Sequence, residues 1–339
     1  MSEHEGLRLR ARDFEQPILW KSLFQIVTSF GGFFLACWAA YRLCDLSPWL
    51  APLPISLAAG FLVRIFIIQH DCGHHSFFRG RWANTLLGAA CSMITLTPFS
   101  SWRRQHAGHH GIWNDLDRRE SGADIYSTCI TVEEYGVLSP AQRFWFRVTR
   151  HPIVSNILLP PLIFLALYRV PFDIERNWRS ERRAIYLTDF ALIVLFGGLG
   201  LFLGFGEVAM VQLPIMMFAS IVGVWLFSIQ HRGPHVEWAR HENWDLVSAS
   251  LHGSTYLRLP AALRWFTGNI GYHHVHHLNS RIPNYRLREC CESLPALREV
   301  QGVSLKDGLR ALRFVLWDEE RKCMVTIGEA RSRLAALAP

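Results

Sequence analysis

The chain has no CxxC pair, and its eight cysteines (Cys37, Cys44, Cys72, Cys91, Cys129, Cys290, Cys291 and Cys323) show no disulfide-like spacing. That excludes a disulfide framework. Several of these cysteines lie in apolar stretches, where the residue acts as a small hydrophobe, and the usage fits a reducing, cytosol-facing location. The opening MSEHEGLRLRARDFEQP lacks a signal-peptide pattern, because acidic residues interrupt it and no cleavage site follows a short apolar core. Internal repeats and low-complexity segments are missing too. Charge is absent over long stretches: residues 22–41, SLFQIVTSFGGFFLACWAAY, carry none.

What is present is apolar bulk. Half of the 339 residues are hydrophobic, with 13 Trp and 22 Phe, which is rich for a soluble enzyme. The net charge of +7 invites a nucleic-acid reading. The basic residues are scattered and flank apolar runs, however, as they do on the cytoplasmic side of a membrane protein, so no nucleic-acid partner is expected.

About 20 apolar residues cross a bilayer core of roughly 30 Å. Four runs qualify, at about 19–42, 48–69, 185–206 and 208–230. Lys21 and Arg42 bracket the uncharged part of the first, and Arg64 near the end of the second is placed to snorkel. Two more runs, 85–100 and 153–171, are short or broken by Thr, Ser and Pro, including Pro160-Pro161 and Pro171. Both are read as interfacial or re-entrant. Residues 70–150 and 231–339 then form a cytosolic cap. It holds a polar stretch at 113–124, an amphipathic helix reaching about 150, and a charged helical tail from about 304 to 334. The expected fold is an all-α integral membrane protein, a single domain over 1–339 with four spans in two hairpins.

Ten of the 16 histidines fall in three clusters: His70-Asp-Cys-Gly-His74-His75, His106-Ala-Gly-His109-His110 and His273-His274-Val-His276-His277. His70 and His74 stand at i and i+4; the other two sets repeat at i, i+3, i+4. On a helix each set projects from one face, which aims several imidazoles at one point. A lone histidine is more often a satisfied core or surface residue, and His4, His151, His241 and His252 are read that way. Three clusters beside paired spans point instead to a metal centre.

If the clusters share a metal, all must emerge on one side of the membrane. Two spans precede the first cluster and two lie between the second and third. A fully spanning 153–171 would put the third on the wrong face and leave RNWRSERR (176–183) outside, against the positive-inside tendency. RNWRSERR is read as a topology determinant. Trp38, Trp49, Trp102 and Trp113 are read as interfacial belt and core.

Imidazole suits Zn, Cu, Fe and Ni. A structural zinc site closes at four ligands. His70, His74, His106, His109, His110, His273, His276 and His277 are twice that, enough for two metals with open positions. His231, at the end of the fourth span, is a ninth candidate; His235 is its rival. The ExxH pattern of soluble di-iron bundles is missing.

The stretches HDCGHHSFF, QHAGHHGIWNDLDRR, TVEEY and GNIGYHHVHHLNSRIPNY resemble the membrane fatty-acid desaturase family, most closely its bacterial and cyanobacterial omega-6 (delta-12-like) branch. The similarity runs in order from about 60 to 295. It implies a cytosol-facing di-iron centre that uses O2 and two external electrons to place a cis double bond in an acyl chain, carried as lipid or thioester. Carried over residue by residue, the iron ligands are His70 and His74, then His106, His109 and His110, then His273, His276 and His277, with His231 added. His75 and His274 are read as supporting or packing residues. Asp71, Asn114, Asp115, Asp117 and Asn269 lie next to ligands, where each is expected to bond a second imidazole nitrogen and fix the ring.

No haem motif is fused at either end, so the electrons are expected from a separate partner, ferredoxin in a bacterium or cytochrome b5 otherwise. The terminal RLAALAP carries no ER-retrieval signal, which favours a bacterial inner membrane. Two alternatives remain. A hydroxylase could use the same scaffold, since the ligand set does not decide whether hydroxyl rebounds or a second hydrogen leaves. A metal transporter is the other, but transporters place ligands within the spans near the midplane, and here the histidines sit at the span ends.

Overall fold

A computed structural model describes residues 3–119 and 129–337 of the chain. Residues 120–124 of the polar stretch therefore lie outside the described residues. A short helix, α1 (Glu3–Ala11), precedes the first long one, α2 (Leu19–Leu46), and a 3-10 turn over Pro48–Leu50 leads to α3 (Pro52–Gly73). At 1.5 Å per residue α2 is about 42 Å long, enough to cross a bilayer.

Its buried residues are Ser22, Gln25, Ser29, Phe33, Ala36, Cys37 and Ala40, a helical stripe that apart from Phe33 is small or polar; α2 packs on α3, and its first turns also meet Phe77 and Asn284. Leu35 and Trp38 point outward, more than half exposed. This inside-out pattern is what a lipid surroundings demands, since apolar side chains gain nothing by hiding from hydrocarbon and small residues let helices approach.

After α3 come α4 (Arg81–Thr95) and α5 (Phe99–Ile112). The run 85–100 is thus not one segment: it is shared between two helices. Leu96 takes a left-handed conformation (φ 54°) and Pro98 caps the second helix. Phe99 then folds back onto Gly88, where a Cβ would stand 2.3 Å from the ring. The strand β1 (Ile130–Thr131) follows, then α6 (Val132–Val137) and α7 (Pro140–Arg150), both opened by capping boxes at Thr131 and Ser139.

The run 153–171 is a π-turn over Val154–Leu158, then α8 (Leu159–Leu165) and a 3-10 turn. Pro160 and Pro161 lack amide donors, so the carbonyls one turn earlier lose their helical partners and the backbone loosens there. With α7 the segment makes a pair bent by 52°. Next come α9 (Arg179–Leu203), whose first turns absorb much of RNWRSERR, and α10 (Phe205–Gln230). They are joined through Gly204 (φ 94°), where a Cβ would strike the Glu207 carboxylate at 2.0 Å.

Among the described residues α2, α3, α9 and α10 are long and apolar enough to cross a membrane; the bent pair would be a fifth only if counted as one span. These four overlap the expected spans, α9 starting at Arg179, six residues before the expected 185. α3 packs against both α2 and α10 and is the most enclosed of the set.

The remainder is α11 (Leu246–His252), β2 (Tyr256–Leu257), α12 (Ala261–Phe266), α13 (His273–Leu278), α14 (Asn284–Ser293), α15 (Pro295–Arg298), β3 (Gly302–Val303), α16 (Leu305–Ala311), β4 (Phe314–Asp318), β5 (Cys323–Thr326) and α17 (Ile327–Leu337). The expected helical tail at 304–334 is corrected here: its middle is a hairpin. β1 pairs parallel to β4, β4 antiparallel to β5, and β2 parallel to β3. Phe314, Val315, Leu316 and Trp317 suit a pleated, half-buried surface better than a helix. Asp318 accepts from the amides of Glu320 and Arg321 and so turns the chain. The chain is predominantly helical, with small sheets in its C-terminal part.

Candidate metal centre

Pro52 and Pro54 lie in the first turn of α3, where a missing amide donor costs little, and beyond Gly60 the helix runs on to Gly73, so the second span carries His70 in its last turn and His74 caps it. α5 presents His106, His109 and His110; α13 presents His273, His276 and His277. His231 caps the C-terminus of α10. Ligand nitrogens of His70, His74, His106, His110 and His276 all lie within 4.8 Å of one another, as do those of His109, His231 and His277. His273 stands beside the second group, its Nε2 3.0 Å from His231 Nε2 and 3.1 Å from His277 Nε2. His110 and His277 bring the groups together, with ring centroids 4.4 Å apart.

Each HxxHH set is divided between the groups. On α5, His106 and His110 go to the first and His109 to the second. On α13, His276 goes to the first, while His273 and His277 face the second. The two helices thus exchange ligands across the pair.

The chemistry of the donor set fits a bound cation. His231 Nδ1 is 2.7 Å from the Phe227 carbonyl, which only accepts, so the proton sits on Nδ1 and Nε2 offers a lone pair. That lone pair faces Nε2 of His109 at 3.2 Å, of His277 at 3.0 Å and of His273 at 3.0 Å. His74 Nε2 is buried with no hydrogen-bond partner. Lone pairs aimed at one point repel until a cation lies between them. Burial, and then the neighbouring imidazoles, hold His74, His106, His110, His273, His276 and His277 well below the usual histidine range. They are neutral, as metal ligands must be. No carboxylate belongs to either group among the described residues.

The expected supporting residues divide. Asp71 Oδ1 lies 3.2 Å from His70 Nδ1. Its Oδ2 accepts from the amide of Asn284 at 2.7 Å and from its Nδ2 at 2.8 Å. Asn269 donates to the Asn284 carbonyl at 3.2 Å, one link further out. Asn114 turns away from the imidazoles: its Nδ2 donates to the carbonyls of Glu237 and Gly253. Asp115 accepts from His241 Nδ1 at 2.7 Å, and the half-exposed Asp117 pairs with Arg240 at 2.8 Å.

His274 donates to the Leu297 carbonyl at 3.0 Å, and burial pushes it down to about 4. His75 adopts φ 56° at the end of α3, and burial, then the charges of Arg103, Arg81 and Arg281, lower it. His235 belongs to neither group.

Sequence reasoning did not single out Asn284, although it sits in the RIPNY end of the third stretch, nor the stacking of Trp102 on His106 (4.7 Å between centroids, 15° between planes).

A cavity opens on His70, His106, His109 and His273. Its wall is largely apolar: Leu62, Val63 and Phe66 of α3, Phe164 of α8, Met216 and Phe227 of α10. Along α10 the lining runs from Gln230 to Met216, about 21 Å of helix. Gln105 donates to Asp173 at 2.8 Å, and both line the cavity.

The profile of a family described as "Fatty acid desaturase" matches residues 47–305. A "Fatty acid desaturase" of Bacillus subtilis (strain 168) is 39% identical over 96% of this chain and 91% of its own length. A "sn-1 oleoyl-lipid 12-desaturase" of Picosynechococcus sp. is 28% identical over 75% of this chain and 72% of its own. A "sn-1 acyl-lipid omega-3 desaturase (ferredoxin)" of Synechocystis sp. is 27% identical over 69% of this chain and 65% of its own.

Proposed function

The chain belongs to the fatty acid desaturase family of oxidoreductases, and from that premise we propose that it places a cis double bond in a fatty acyl chain, delta-12 (omega-6-like) in position, using O2 and two irons. The observation that carries the reading is the sorting of nine imidazoles into two adjoining groups without a carboxylate. His70, His74, His106, His110 and His276 would hold one iron, and His109, His231, His273 and His277 the other. Bound there, the pair would supply the oxidising power that removes hydrogen from two neighbouring methylenes.

The protein's own part is to orient ligands, hold the chain and keep water out. Asp71 fixes the ring of His70, and the Phe227 carbonyl fixes that of His231. The stack of Trp102 on His106 narrows the space beside the first group. The cavity, apolar over most of its wall apart from such groups as Gln105, Asp173 and Ser220, would receive an acyl tail and offer bulk water few partners, which suits a step that must exclude side reactions. An acyl-lipid substrate, the delta-12 position and ferredoxin as donor are supported by the names of the cyanobacterial relatives. The four-span parity and the basic flanks support a cytosolic catalytic face in a bacterial inner membrane.

Expression in a host lacking polyunsaturated lipids, followed by fatty-acid profiling with double-bond location, tests this. A new polyunsaturated acyl chain is expected, and His110→Ala or His276→Ala should abolish it. A hydroxylated chain in its place would select the hydroxylase reading, and full activity in either variant would refute the ligand set.

A further inference from the structure

Resting on the reading that the metal pair draws electrons from outside, we propose that an acidic one-electron carrier protein docks on a basic face formed by Arg8, Arg12, Arg81, Arg103 and Arg281. Arg8, Arg12 and Arg281 line one shallow hollow with Glu15, Leu278 and Asn279. Arg281 lies three residues before Asn284, whose amide Asp71 of α3 holds, and Arg103 packs beside Gly73 at the end of that helix, so the face continues across it to Arg81, the first residue of α4.

At two places this surface is one residue from an imidazole group. His75 follows His74, and its φ of 56° ends the helical course of α3 there; Leu278 follows His277 and lines the hollow. No comparable basic hollow is needed to hold the cap together. α1 is anchored by Leu7 and Ala11, which are buried in one cluster with Ile270, Tyr272 and Val275 of the third histidine stretch. Arg8 and Arg12, one helical turn apart, are left exposed.

Among the described residues Arg8, Arg12, Arg81 and Arg103 form no ion pair, and Arg281 has Glu15 at 3.9 Å, which already accepts from Asn279 at 2.9 Å. Such a face steers an oppositely charged protein and sets its orientation, and redox encounters use small interfaces of this kind. Anionic lipid would also be drawn to arginine, but none of the large exposed apolar side chains of the spans lines the hollow. RNWRSERR is a poorer site: Arg182 is spent on the carbonyls of Pro171 and Ile174, and Glu181 pairs with Arg104. One turnover would oxidise two reduced carriers, each giving one electron. These two electrons and two protons, with the two hydrogens taken from the acyl chain, convert O2 to two waters.

The full-length protein in detergent, titrated with an acidic plant-type 2Fe–2S ferredoxin at low and high salt, provides the test. Binding should weaken steeply with salt. It should fall at least about tenfold in Arg8→Glu/Arg12→Glu and, separately, in Arg81→Glu/Arg103→Glu. Arg176→Glu/Arg179→Glu should bind like the unchanged chain. The proposal is overturned if ferredoxin does not bind, if binding ignores both pairs, or if the same arginines bind anionic vesicles instead. Charge-dependent binding by a chain that forms no alkene would sink the desaturase reading and leave the docking face standing.

Discussion

Oδ1 of Asp71 lies 3.2 Å from Nδ1 of the preceding His70, so the residue that ends the reach of the second span also sets how its imidazole is turned. The other oxygen is held by Asn284, which ties the first histidine stretch to the segment just after the third. Asp71→Ala frees the ring and leaves two buried donors of Asn284 unmet. Loss of an orienting partner of this kind costs about 10–100-fold in metal affinity. Iron retained per chain after dialysis should fall accordingly, with Asn284→Ala moving the same way to a lesser extent. Unchanged iron in Asp71→Ala would show that the carboxylate is only a packing group.

His231 and His235 separate position from proximity. His231 Nε2 is within 3.2 Å of three other Nε2 atoms, whereas His235, four residues on, joins neither group. His231→Ala should lower bound iron and abolish product. His235→Ala should keep both, because the side chain lost is a partly buried imidazole that belongs to neither group. Metal analysis of the two purified variants decides; equal iron loss in both would contradict the assignment of His231.

Much of this arrangement is legible in the sequence because helical spacing and span length are local properties. The i, i+3, i+4 repeats of α5 and α13 and the uncharged core of α2 follow from the backbone period alone. How each HxxHH set divides is not local, since it depends on which neighbour each face of α5 and α13 meets. The reading of Asn114 and Asp115 as supports for α5 failed for a similar reason. α5 stops at Ile112 and Asn114 takes φ 65°, so side chains beyond that point no longer follow the face that carries His109 and His110. The cap sheets escaped notice because β1 and β4 are far apart in sequence and very short.

Gly271, two residues before His273, is required by close backbone contact. A Cβ there would stand 2.6 Å from the Leu257 carbonyl oxygen, on the strand whose amide bonds the Gly271 carbonyl at 2.9 Å. Backbone cannot swing aside as a side-chain tip can. Gly271→Ala is expected to destabilise the protein by about 1–3 kcal/mol, the usual cost of overpacking, and to displace α13. Thermal unfolding in detergent should shift downward and iron content should drop with it. A variant as stable and as loaded as the original would mean that the strand and α13 are free to separate.

In the cap, the Asp318 carboxylate is almost fully buried against Arg333. Burial alone would raise its pKa, but the bonds from Arg333 and from the turn amides outweigh it and hold the carboxyl below its ordinary value. A group depressed on folding contributes stability that is complete above its unfolded pKa and is lost as pH falls through the folded one. The hairpin should therefore hold down to about pH 4 and loosen below it. Asp318→Ala leaves Arg333 its pairs with Glu133 and Glu320 but strips the turn amides of Glu320 and Arg321 of their acceptor, and should cost about 1–3 kcal/mol at neutral pH. Hydrogen exchange across Phe314–Thr326 reads both effects, and protection unaffected by the substitution would refute the role of the pair.

The lining residues farthest along the helices from His70 and His231 are Leu62 and Val63 on α3 and Met216 and Ala219 on α10. An acyl tail whose reacting carbons sit at the imidazole groups must store its remaining methylenes in that space. Ala219→Phe fills part of it without touching a histidine. Each methylene refused by an apolar pocket is worth about 1–3 kcal/mol, or roughly 10–200-fold in discrimination. Conversion of longer acyl chains should fall by at least about tenfold relative to shorter ones offered in the same culture, while bound iron stays unchanged. Equal loss for all chain lengths would indicate damage to packing rather than a shortened pocket, and no loss at all would place the tail elsewhere.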